Sequence, residues 1–227
     1  MSVKLPTLSQ PGFDLVFGYV YTGLAVNLSM ALANLPLAVS LALVRQPGAA
    51  WPFFVVLSLT LAPSLVGAFT AFDAMNAGDT RPFRAFWLGW RRGMKRAGLL
   101  GLALDGLVLV VGLDLASTAG APVGAALVPV LVAVVAVAVA VVVLALAGFA
   151  AGGVGADAPT AALLKASVYL AIRRWPLTLL SLAALTAAVA FVLAQPVLGT
   201  LLGVAPLLFV VFSNARATLA PLAHAAG

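Results

Sequence analysis

The sequence predicts an all-α integral membrane protein: six transmembrane helices plus a cytoplasmic interfacial amphipathic helix, in a single domain covering 1–227. Three observations predict it. The composition is 64% hydrophobic and only 8% charged, with a mean hydropathy of +1.19, whereas a soluble domain carries about 25% charged residues. The charges are segregated into short stretches between long uncharged runs. The cations also sort almost entirely to one side once the runs are taken as spans.

About 20 apolar residues cross the hydrocarbon core as a helix. Thirty uncharged residues between Asp14 and Arg45 hold a first span at 17–44. The 27 between Arg45 and Asp73 hold a second, 52–75. A third, 97–117, carries Asp105 and Asp114, and 123–150 makes a fourth. The valine-rich run Val130 to Val143 would suit a strand in water, but a lone strand in lipid leaves its backbone unpaired, so it reads as helix. The 41 uncharged residues from Trp175 to Ala215 suit two spans, 175–194 and 197–215, broken at Gln195-Pro196 because proline cannot continue the helix.

Six spans put both termini on one side. Lys4, Arg81, Arg84, Arg91, Arg92, Lys95, Arg96, Lys165, Arg173, Arg174 and Arg216 then share that side, and Arg45 alone lies opposite. Basic loops stay cytoplasmic, so the expected location is a bacterial inner membrane with both termini in the cytoplasm. The first residues, Met1 to Asp14, do not read as a removed signal peptide.

Residues 82–96 separate two faces at helical spacing. Phe83, Phe86, Trp87, Trp90 and Met94 fall on one, and Arg84, Arg91, Arg92 and Lys95 on the other. Such a helix lies in a membrane interface. It either anchors the loop, or docks a cytoplasmic partner or anionic lipid headgroups. Pro82 suits its first turn, with Asp79 or Thr80 before it as caps.

A weak internal repeat is visible at a shift of 78 residues. It places Asp79 on Asp157, Lys95-Arg96 on Arg173-Arg174, and Leu99 on Leu177. Both copies would run the same way through the membrane, as in a parallel repeat.

The first half of the chain carries Asn27 with Leu35-Pro36, Ala62-Pro63 followed by Gly67-Ala68-Phe69, and Phe83-Arg84-Ala85-Phe86-Trp87 with Arg91-Arg92 and Lys95-Arg96-Ala97. With Leu164-Lys165-Ala166 and Arg174-Trp175-Pro176-Leu177, the chain resembles the YesL-like family of bacterial integral membrane proteins, over most of its length. The resemblance implies no reaction and no catalytic residues. It implies an accessory role near carbohydrate uptake systems of the ABC type. The chain departs from many such proteins in its Ala/Val-rich composition and its longer first loop, 45–51.

Ionisable and amide groups inside a bilayer are functional suspects. Asp105 lies nine residues beyond Arg96, roughly 13 Å along a helix. It reads as a proton or cation site, or as a neutral partner for a neighbouring helix. Asp114 falls nearer the outer surface, and Asp73 and Asn76 end the second span. Asn27 and Asn34 are seven apart on one helix face, suited to interhelical hydrogen bonds. Asn214 beside Arg216 is expected to close the sixth helix at the headgroups. Gly120/Gly124, Gly148/Gly152 and Gly199/Gly203 have the spacing of close helix contacts.

The acid–base inventory is thin: six Asp, no Glu, no Cys and the single His224. That disfavours an enzyme, a metal site or a cofactor. There is no G-x-x-x-x-G-K phosphate loop, and the Glu-Ala-Ala loop of many ABC import permeases cannot be present. The basic excess of +6 suits lipid headgroups better than nucleic acid. The expected function is a non-catalytic accessory or scaffold protein, with a sugar-transport complex or a homo-oligomer as partner. The alternative is a small secondary transporter or channel using Asp105 in a polar intramembrane pathway.

Overall fold

A computed structural model describes residues 10–45, 49–118, 122–150 and 158–225. Lys4, Pro47, Gly120, Gly152 and Asp157 fall outside them. Within the described residues every regular element is a helix. Five helices are long and apolar enough to cross a membrane, and six if one sharply bent pair counts as a span.

The bent pair is the first departure from expectation. α1 (Gln10–Ala33) and α2 (Leu35–Leu43) replace the single span expected at 17–44, and they meet at 86°. Pro36 supplies the reason. It has no N–H for the carbonyl one turn back, and its ring crowds that turn. Asn34, two residues earlier, leaves the helical region at φ −114°, ψ 28°.

The second span is also interrupted. It runs through α3 (Trp51–Leu57), a 3-10 turn (Ser58–Thr60) and α4 (Leu61–Asn76). Pro63 again denies a donor to the turn before it, and tighter i→i+3 bonding accommodates the loss.

The expected surface helix 82–96 and the third span 97–117 are not separate elements. They form one helix, α5 (Pro82–Ser117), of 36 residues. The sequence between Pro82 and Ser117 has no proline to end a helix at Arg96. α6 (Pro122–Phe149) follows, then α7 (Thr160–Arg173) and α8 (Trp175–Ala194). The fifth span thus has the expected bounds. The break at Gln195-Pro196 is also present, with Gln195 at φ −142°, ψ 80°. A short turn, α9 (Pro196–Leu198), and a π-turn (Gly199–Gly203) lead into α10 (Val204–Ala225). The last helix therefore runs ten residues beyond its expected end at 215.

α4 and α5 form the tightest pair. The α5 face that meets α4 is a stripe of small residues one turn apart: Ala85, Gly89, Gly93, Ala97 and Gly101, all buried. A Cβ on Gly93 would sit 2.9 Å from Val66, and one on Gly101 2.8 Å from Ala62. Gly89 lies still closer to Thr70. Small residues let backbones approach, and the gain is dispersion over many atoms. The stripe was legible in the sequence but lay hidden beneath the aromatic and basic pattern of the same segment.

Burial supports the 78-residue repeat at the level of helix faces. α7 begins at Thr160, 78 residues after α5 begins at Pro82. Its buried Leu163, Ser167 and Ala171 correspond to the buried Ala85, Gly89 and Gly93. The buried stretch 62–72 of the second span corresponds to 140–150 of α6. The copies part where Pro176 stands in place of Gly98: the first continues as α5, and the second breaks at Arg174.

Candidate functional site: a polar seam between broken helices

Two of the three expected intramembrane polar residues converge on the 3-10 turn Ser58–Thr60. Asn34, at the bend between α1 and α2, is buried. Its Nδ2 donates to Met30 O at 2.9 Å and to Ser64 Oγ at 2.9 Å. Its Oδ1 accepts from Thr60 Oγ1 at 2.7 Å. Ser64 Oγ in turn donates to Thr60 O at 2.7 Å. One amide therefore joins the bend of the first span to both sides of the interruption in the second.

Asp105 reaches the same turn from α5. Its Oδ1 accepts from Ser58 Oγ at 3.0 Å, and Ser58 Oγ also lies 2.6 Å from Val55 O. The second carboxyl oxygen, Oδ2, is buried and has no hydrogen-bond partner. Ser58, Thr60 and Ser64 complete this seam, and the sequence reading passed over all three. The available signal was a set of hydroxyls on both sides of Pro63, spaced two and four apart in an apolar run.

Asn27 is not part of this seam. It is 2% exposed, and its Oδ1 accepts the Ala205 N–H at 2.7 Å, where the π-turn gives way to α10. The seven-residue spacing thus gives two amides that each bond another helix, but different helices. Asn214 is half-buried rather than terminal, donating to Ser181 Oγ on α8 at 3.3 Å.

The amphipathic segment departs from expectation on its aromatic side. Phe86 is fully buried, Trp87 and Trp90 are half-buried against the core, and Phe83 is 36% exposed. Phe86, Trp87 and Trp90 form an edge-to-face ladder with centroids 5.4 and 5.5 Å apart. The aromatic face therefore packs largely on protein, because the small stripe beside it draws α4 into contact. On the basic face Arg84, Arg91, Arg92 and Lys95 are all exposed. Arg91, Arg92 and Lys95 make no hydrogen bond or ion pair among the described residues.

Other arginines are engaged. Arg216 pairs with Asp73 at 3.0 Å and lies over the Phe212 ring at 5.7 Å. Arg96 donates to Ala158 O at 3.4 Å and lies over Phe149. Arg174 donates to Ala217 O. These contacts tie α10 to α4 and to the α7–α8 junction, and α5 to the start of α7. Asp79, on the turn before α5, takes the Arg81 guanidinium at 3.1 Å. That hydrogen bond and charge hold its carboxyl below the usual carboxylate range.

No family model, curated protein or solved structure matches the chain. The resemblance to the YesL-like family rests on the short motifs quoted above.

Proposed function

We propose that this chain is a non-catalytic accessory protein of a bacterial inner membrane, presenting a rigid basic helix to a cytoplasmic partner. One observation carries the reading. The α5 face bearing Arg84, Arg91, Arg92 and Lys95 is exposed, while the opposite face is locked against α4 through Gly89 and Gly93. A helix held this firmly keeps the Cα positions of its cations in a fixed array, so docking need not order the backbone as well. The large exposed apolar surface, with Leu99 68%, Val110 58% and Val189 57% exposed, suits lipid rather than water. The cation asymmetry supports a cytoplasmic side for the termini and the basic loops.

The YesL-like resemblance directs the partner search to sugar uptake complexes. The decisive experiment is co-purification from native membrane. A sugar permease should co-elute with the wild-type chain and be lost when Arg84, Arg91, Arg92 and Lys95 become Gln. Retention of the permease by that variant would refute the basic helix as the docking surface.

A specific observation favours a second reading, a small transporter or channel. Asp105 Oδ2 is buried without a partner beside two broken helices, and interrupted helices are where transporters bind ions. Proton- or cation-dependent flux into liposomes, abolished by Asp105→Asn, would support it. Absence of flux from wild-type protein would remove it.

A further inference from the structure

A groove of about 380 Å³ opens between α1, α4 and α10, apart from both the polar seam and the basic helix. Its size falls within the range of small-molecule sites. One wall is aromatic: Tyr19 and Phe72 each meet Phe209 edge to face, with centroids 5.5 and 5.3 Å away. Leu24 and Leu202 line it further. Asn27 is the only lining residue with a side-chain amide. Because its Oδ1 accepts the Ala205 N–H, the orientation of the amide is fixed, and Nδ2 is the end left over. That nitrogen has no hydrogen-bond partner among the described residues. An unmet donor in apolar surroundings is unfavourable, and an acceptor brought by a ligand would relieve it.

Depth narrows the class of ligand. Asn27 lies ten residues beyond Phe17, where the apolar run after Asp14 is expected to enter the membrane. That is roughly 15 Å along the helix, near the middle of a hydrocarbon core about 30 Å thick. A phospholipid carries its acceptors at the membrane surface and brings only methylenes to this level. A quinone differs: its flat ring dissolves in hydrocarbon and carries carbonyl acceptors on its edge. Such a ring can also pack on an aromatic wall.

We propose that the groove is a binding site for the ring of a lipid-soluble quinone, with Asn27 Nδ2 donating to a ring carbonyl. No redox step is assigned to it. Two variants test the site separately. A Cβ at Gly23 meets only Ala205 Cβ, at 4.0 Å, so Gly23→Leu places a side chain in the groove without removing the Asn27 amide. Asn27→Leu removes the donor.

The experiment titrates the full chain, in nanodiscs of quinone-free phospholipid, with a decyl-substituted benzoquinone, using decylbenzene as competitor. Binding should saturate at one ring per chain, and decylbenzene should not compete at equal concentration. Asn27→Leu should weaken binding about tenfold, the effect of one hydrogen bond, and Gly23→Leu should abolish it. If Asn27→Leu does not fold, Gly23→Leu and the competitor decide. Absence of saturable binding, equal competition by decylbenzene, or unchanged binding by Gly23→Leu would each overturn the proposal.

Discussion

Asn34 Nδ2 donates to Ser64 Oγ across 2.9 Å, joining the bend of the first span to the first turn of α4. The same amide accepts from Thr60 Oγ1. One side chain therefore ties together the two spans that proline interrupts.

The first prediction follows from that sharing. Asn34→Leu should destabilise the protein by about 1–2 kcal/mol, since hydrogen bonds between membrane helices are individually modest. Ser64→Ala on the Asn34→Leu background should add little, because the two groups act together. Reversible unfolding in detergent measures both. Additive losses would show that Asn34 and Ser64 are not coupled.

Glycines on α5 separate packing from mere helicity. Gly93→Leu drives a side chain into Val66, whereas a Cβ at Gly98 meets nothing within 4 Å. The first change should cost about 1–3 kcal/mol or more through overpacking. Gly98→Leu should be neutral or stabilising by up to about 1 kcal/mol, because glycine is the poorer helix former. Equal effects in a thermal unfolding comparison would contradict the α4–α5 contact.

Phe86 and Phe83 make a similar contrast three residues apart. Phe86→Ala empties a fully buried site and should cost about 3–5 kcal/mol. It should open the segment around Asp79 to protease. Phe83→Ala should leave the digestion pattern unchanged.

Asp79 offers a pH test outside the spans. Its folded pKa is depressed by Arg81, so the interaction favours the fold above the unfolded carboxylate value. It is lost as pH falls through the lower folded value. Arg81→Gln should raise the Asp79 midpoint towards the ordinary aspartate value, as followed by the carboxyl NMR shift. An unchanged midpoint would deny the pairing. At neutral pH the pair should matter little, because it is exposed and screened.

Topology can be read directly. Reporters at either terminus and in the turn at Asp79 should face the cytoplasm, and one at Gln195 should face outward. A cytoplasmic reading at Gln195 would break the assigned order of spans.

What the sequence determined by itself was the class of molecule. Charge-free runs of 27 to 42 residues dictate helices, because apolar backbone out of water must bond to itself. Gln195-Pro196 also announced its own break, since proline acts on the turn beside it. The amides Asn27 and Asn34 stood out as polar residues in an apolar run. What they bond was beyond reach, because Ala205 lies 178 residues from Asn27 and Ser64 lies 30 from Asn34. Tertiary structure also decided which face of α5 is buried. Aromatics and arginines suggested a helix lying flat in the interface, but the small residues between them let α4 approach, and that contact buried Phe86. Local periodicity shows that a helix has two faces. Which neighbour covers either face depends on how closely another backbone can approach, and only the packed fold settles that.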